Sequence, residues 1–153
     1  MKDFKIPESV LVLIHTAEQD VLLLERVDHP GFWQSVTGSL DTSDEPLVRT
    51  AVREVLEETG IAADVALFHN WALSNIYEIY PQWRHRYAPG VTHNTEHVFS
   101  LCVPRGTAVT LSPREHTAWQ WLPLLEAADL CYSASNAEAI LMLPQFMASQ
   151  PHA

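Results

Sequence analysis

The segment from Asp44 to Gly60 constrains the fold more than any other. It reads Glu45-Pro46-Leu47-Val48-Arg49-Thr50-Ala51-Val52-Arg53-Glu54-Val55-Leu56-Glu57-Glu58-Thr59-Gly60. An α-helix turns about 100° per residue, so with Glu54 at the origin Glu57 and Glu58 fall within roughly 60° of it on either side. Val48, Val52, Val55 and Leu56 gather on the far side. The spacing predicts a helix from about Asp44 to Thr59, capped by Ser43 or Asp44, with Pro46 in its first turn and Gly60 as its stop. Its apolar side needs a core to lie on, and its acidic side is left open. Like charges at i, i+3 and i+4 weaken an isolated helix. A hard divalent cation such as Mg²⁺ or Mn²⁺ reverses that effect, because it seeks oxygen ligands. Arg53 stands one turn before Glu57, and Glu45 is placed to hold the other side of its guanidinium. The same spacing also permits a merely solvated acidic face.

The core for that helix comes from strands. Val10-Leu11-Val12-Leu13-Ile14 is a continuous apolar run rich in β-branched residues and reads as a buried strand. After the polar turn Glu18-Gln19-Asp20, Val21-Leu22-Leu23-Leu24 reads as a second strand, and the two look like a hairpin. Trp33 to Thr37 is a short strand ending at Gly38. Residues 63–80 hold one or two strands, residues 81–95 a long loop, and His97 to Val103 and Ala118 to Leu122 two more strands. Pro123 to Asp129 reads as a short helix. Ser135 to Met147 reads as a closing helix with Ala139, Ile140, Leu143 and Phe146 on one side. A mixed sheet with helices packed on it follows, α+β in character.

With 153 residues the chain is expected to form one domain over 1–153, and 47% hydrophobic residues suffice for a core. The net charge of -10 argues against binding a nucleic-acid polymer, whose affinity rests on a basic surface. Cys102 and Cys131 make no disulfide framework or metal spacing. No apolar run reaches membrane-spanning length, and no secretory signal is evident. No membrane partner and a cytoplasmic setting are the expectation. The eight histidines are scattered, and none is assigned as a ligand. Trp119 and Trp121 alternate as core or half-buried strand residues.

The run from Glu45 to Ile61 resembles the Nudix box at each fixed position: the upstream Glu, Arg-Glu, an aliphatic residue, Glu-Glu, Gly and a final aliphatic. One departure precedes the helix. Six residues separate Gly38 from Glu45 where the pattern has five, so either the loop carries one extra residue or Ser39 stands at the glycine position. The resemblance implies a Nudix fold, a mixed sheet sandwiched between helices, and hydrolysis of a phosphoanhydride with Mg²⁺, Mn²⁺ being a possible substitute. It implies Glu54 and Glu58 as metal ligands with Glu57 beside them, Arg53 and Glu57 in the catalytic set, and a final ligand or base from a later loop. In Ser112-Pro113-Arg114-Glu115-His116 that residue is Glu115; a solvated turn residue is the alternative.

Outside the box, residues 32–38, residues 83–96, the opening Met1-Lys2-Asp3 and Ser133-Ala134-Ser135-Asn136 are similar to the bacterial branch of this family that acts on dihydroneopterin triphosphate. That likeness implies release of pyrophosphate from this compound in folate biosynthesis, with weaker action on nucleoside triphosphates. Its small-molecule contacts would be Lys5, Arg26, Thr37, Tyr77, Glu78, Ile79, Tyr80 and Ser133. Lys5 can meet phosphate as a point charge and Arg26 as a planar fork. Tyr77 and Tyr80 can offer aromatic surface to a flat ring, and Glu78 can accept from an aminopyrimidinone edge. Arg84 and Arg86 are either phosphate contacts or members of ion pairs. A dATP-type nucleoside triphosphate pyrophosphohydrolase is the rival within the same chemistry. A catalytically silent Nudix-fold binding module is the rival outside it, and the retained Glu54, Glu57 and Glu58 speak against that.

Overall fold

In a computed structural model, residues 3–149 are described. Strand β1 (Glu8–His15) runs through the middle of a seven-stranded sheet. Its side chains alternate across that sheet. Val10, Val12 and Ile14 point to one face, and Leu11 and Leu13 to the other. Both faces are covered, which is why the run is continuously apolar instead of alternating with polar residues. On the first face lies helix α1 (Leu47–Thr59), with Ala51 and Val55 fully buried against the sheet. Helices α2 (Leu124–Leu130) and α3 (Ala134–Ser149) cover the second face through Ala127, Ala139, Ile140 and Leu143. The expected layering of a mixed sheet between helices is what the chain adopts. Phe146 of α3 stacks on Trp71 with ring centroids 4.0 Å apart.

β1 and β2 (Asp20–Arg26) pair only next to their turn, at His15 and Val21. The expected hairpin is therefore short. Two other strands take the remaining edges: β4 (Val36–Ser39) lies antiparallel along Ser9 to Val12, and β7 (His116–Pro123) lies along the whole of β2. β6 (His93–Cys102) runs parallel to β1 on its other side and pairs with β5 (Phe68–Glu78). β5 is one strand with an irregularity at residues 70–74, where Ala72 sits at φ 55°. The segment Trp33 to Thr37 is not one strand. It splits into β3 (Trp33–Gln34) and β4 because the Ser35 N–H donates to Asn136 Oδ1 of α3. The expected loop 81–95 opens with a 3₁₀ turn, Pro81–Arg86, and ends earlier than expected, where β6 begins.

Helix α1 starts later than its periodicity suggests. Pro46 is the N-cap, at ψ 136°, and no side chain caps the helix, so neither Ser43 nor Asp44 does. Thr42 and Asp44 bond to one another instead, and Glu45 turns toward Arg53. Gly60 closes the helix in the left-handed region, its N–H on Leu56 O. Among the described residues no helix is long and apolar enough to cross a membrane.

Candidate functional site

The inward side of α1 is not the purely apolar one. Leu56, expected against the core, is half exposed, whereas Glu54 and Glu58 are buried. Only Glu57 of the three carboxylates is exposed. β4 supplies the reason. A Cβ at Gly38 would lie 2.0 Å from the Glu54 carboxyl carbon, so the glycine makes room for that carboxylate. This assigns Gly38, not Ser39, to the glycine of the box and puts the extra residue in the loop after β4.

Arg53 ties the loop to the helix. Its guanidinium donates to Glu45 (3.0 and 3.2 Å), Glu54 Oε1 (2.8 Å) and Ser39 O (3.1 Å). It also lies 3.6 Å from Glu57, the expected i, i+4 pair. The Arg53 hydrogen bonds hold the Glu45 carboxyl down at about 2. Arg53 spans Glu45, Glu54 and Glu57 and so orients the acidic face.

Neither oxygen of Glu58 has a hydrogen-bond partner. Burial first, and then the neighbouring Glu54 carboxyl, push Glu58 well above the usual carboxylate range. Burial also raises Glu54, against the pull of Arg53. Ligand atoms of Glu58, Glu115 and His116 lie within 4.8 Å of one another. Glu115 is exposed on the loop before β7, which is fixed by Val27 N–H on Glu115 O (2.9 Å). A buried carboxylate with both oxygens unpaired is costly unless a cation meets it. Glu58 and Glu115 offer carboxylate oxygens of the kind a hard divalent cation takes, and the Glu54 carboxyl interacts with Glu58 beside them. The residues thus fit the metal that the helix spacing suggests.

His116 has no role assigned by the sequence. It is buried beside Glu58 (Nε2 to Oε1, 3.9 Å), and its Nε2 lies 3.2 Å from Gln34 Nε2. Burial, with Arg26 nearby, lowers its pKa to about 4, so the ring is neutral near pH 7. Its adjacency to Glu115 was the available signal; the pairing of His116 with Arg26 across β2 and β7 is what brings it in.

A cleft of about 680 Å³ opens in front of these groups. Glu54, Glu57 and Glu115 line it together with the basic side chains Lys5, Arg26, Arg53, Arg86 and Arg114. Lys5 is not a loose end, because its N–H bonds Arg86 O (2.8 Å). Its side chain is open to the cleft, yet the surrounding walls crowd out water, and this desolvation, with Arg86, lowers its pKa. Arg26 grips Asp28 through two nitrogens (2.8 and 2.9 Å) and lies 4.3 Å over the Trp83 ring. Arg86 reaches the same Asp28 (3.1 Å), and Arg84 pairs with Glu78 (2.6 Å), so both arginines are in ion pairs. Asp28 is held at about 2, chiefly by the Arg26 hydrogen bonds. Thr37 lines the cleft but donates its hydroxyl to Val10 O (3.1 Å), leaving it an acceptor.

Tyr77, Glu78, Tyr80 and Ser133 come together in a second pocket of about 340 Å³. Asn94, on the wall of the first cleft, donates to Tyr77 OH (3.1 Å), so the two spaces adjoin. Tyr80 belongs to an aromatic group with Phe32, Trp83 and Tyr132. Ser133 also faces inward, accepting the Asn136 N–H (3.4 Å) at the start of α3. Ile79 is the exception. It is buried away from both spaces, its N–H on Thr92 O and its carbonyl on Arg84 Nε. Trp119 is more exposed than expected, whereas Trp121 packs on the core.

A sheet between helices, with box carboxylates and basic side chains lining one cleft, defines the class. The chain belongs to the Nudix family, whose domain model matches residues 5–143. Within that family it is 43% identical over 145 residues to the dihydroneopterin triphosphate diphosphatase of Escherichia coli K12, covering 92% of this chain and 95% of that one. The Haemophilus influenzae protein of the same name is 40% identical over 143 residues, with 92% and 89% covered. The solved E. coli dihydroneopterin triphosphate pyrophosphohydrolase superposes with a TM-score of 0.83 at 43% identity, covering 91% of this chain and 95% of that one.

Proposed function

We propose that this chain, as a single Nudix unit over residues 1–153, hydrolyses dihydroneopterin triphosphate to dihydroneopterin monophosphate and pyrophosphate, in the cytoplasm and within folate biosynthesis. The observation that carries the reading is one cleft lined by the cations Lys5, Arg26, Arg86 and Arg114 and by the carboxylates Glu54, Glu57 and Glu115, next to a pocket lined by Tyr77 and Tyr80. A triphosphate with a flat ring needs both spaces. The names borne by relatives at 40–43% identity support the same substrate.

Each side chain then has a task. Glu54, Glu58 and Glu115 would hold Mg²⁺, with Mn²⁺ as a substitute. When bound, the ion would supply charge neutralisation at the phosphoryl oxygens and a more acidic water. Arg53 keeps Glu54 and Glu57 in place from its anchor on Glu45. Glu57, exposed beside Arg53, is the box carboxylate free to take a proton from the attacking water. Lys5 and Arg26 bind phosphate oxygens, and Arg86, held beside Arg26 by Asp28, adds a third positive charge. Thr37 accepts from the substrate, and Tyr77, Tyr80 and Ser133 flank the ring.

Steady-state kinetics on dihydroneopterin triphosphate and dATP, with Mg²⁺ and with chelator, test this reading. Higher kcat/KM for the pterin and loss of both activities in chelator are expected. A wide preference for dATP would replace the reading with nucleotide-pool hydrolysis.

A further inference from the structure

The ring pocket needs a group that reads the ring's edge. Glu78 is poorly suited to that task. Its side chain is 65% exposed and bound by Arg84 at 2.6 Å. Glu138, also on the pocket wall, is exposed. Directly behind that wall stands a third carboxylate, Glu96 of β6, which is 5% exposed. Register places it between Ser9 of β1 and Asn75 of β5, and Asn75 lines the pocket. Ser135, also on the wall, donates to Glu96 Oε1 over a long 3.4 Å. Tyr77 and Tyr80 both feel its charge.

A carboxylate this deep is expensive when its hydrogen bonding is weak. Burial pushes Glu96 up to about 7, with only the Ser135 bond opposing it. Ion pairs of the kind that hold Asp28 and Glu45 low do not contribute here.

We propose that Glu96 is the specificity-determining residue of the ring pocket, its two oxygens accepting the paired N–H donors of a 2-amino-4-oxopyrimidine edge. The inference rests on the reading of the adjoining cleft as a triphosphate site. Such an edge presents a ring N–H and an exocyclic amino N–H side by side, matching a carboxylate as an arginine fork does. Pterin and guanine both carry it. Hypoxanthine lacks the 2-amino donor, and adenine sets a ring acceptor beside its amino group. Buried groups built to meet such donors reject analogues that lack them, since they are then left unpaired.

The test compares dGTP with dITP, which differ only in the 2-amino group. Affinities are read by tryptophan fluorescence for the wild-type chain and for Glu96→Gln, whose side chain keeps the shape but replaces one acceptor by a donor. Wild type should bind dGTP roughly ten- to a hundredfold more tightly than dITP, the worth of a hydrogen bond to a charged group. In Glu96→Gln the ratio should fall to threefold or less. A wild-type ratio near one, no binding of either nucleotide, or a folded Glu96→Gln that keeps the wild-type ratio overturns the assignment. The wild-type ratio decides alone if the variant does not fold. Failure of the dihydroneopterin triphosphate reading has a different signature: no turnover of that compound, with the preference for dGTP over dITP intact.

Discussion

Glu58 carries two buried oxygens without a partner, and its carboxyl is driven toward the neutral form. A group so placed does nothing for the metal-free fold. Glu58→Gln, and likewise Glu54→Gln, should lower kcat by about 10²-fold or more through lost charge stabilisation. Calorimetric titration should find Mg²⁺ binding weakened in both. The metal-free Glu58→Gln protein should melt no lower than wild type, because a buried carboxyl has been removed without opening a cavity. Wild-type kcat at saturating Mg²⁺ would contradict the metal assignment. Glu96 makes a separate statement about pH. Its folded pKa of about 7 lies above the ordinary 4.5, so the folded state holds the proton more tightly than the unfolded chain does. Its neutral form is accommodated below about pH 4.5, and stability is lost as pH rises through about 7. The loss approaches about 3 kcal/mol at most. His116, lowered to about 4, acts in the opposite direction on the acid side, so the difference between wild type and Glu96→Gln isolates the carboxyl. Urea unfolding should show Glu96→Gln gaining on wild type between pH 5 and pH 8. A constant difference over that range would refute the shift.

At the scale of elements, α1 was legible because helical periodicity places Glu54, Glu57 and Glu58 together whatever surrounds them. Which of them turn inward was not legible. That depends on Gly38 of β4 opening a space that no pattern within the helix encodes. The start of the helix was misplaced for a similar reason, since Glu45 is drawn away by Arg53. The sequence places the start of β6 at His97 and not His93, because polar residues at buried strand positions, Asn94 and Glu96 among them, look like loop. α3 was legible from its apolar side. Its Leu143 is fully buried against the sheet. Leu143→Ala should therefore cost about 2–5 kcal/mol, seen as a lower urea midpoint with an unchanged slope. A loss under about 0.5 kcal/mol, the range of surface changes, would mean that α3 does not dock as described.

For the whole molecule, the sandwich was legible because a continuously apolar β1 demands cover on both faces, and three helices with apolar residues to bury were there to supply it. The assembly of the site was not, since it depends on strand register. β2 and β7 bring Arg26 level with His116, and β1, β5 and β6 bring Ser9, Tyr77 and Asn94 into contact, across separations no local pattern spans. The acidic chain also confines its cations: Lys5, Arg26, Arg53, Arg86 and Arg114, five of its nine lysines and arginines, line one cleft. That concentration is the molecular-scale reason to expect a triphosphate. The most direct measurement is to incubate the protein with dihydroneopterin triphosphate and Mg²⁺ and identify the phosphate products. One pyrophosphate for each dihydroneopterin monophosphate, abolished by chelator, is the result expected. Stepwise release of orthophosphate, or undiminished turnover in chelator, would contradict the account.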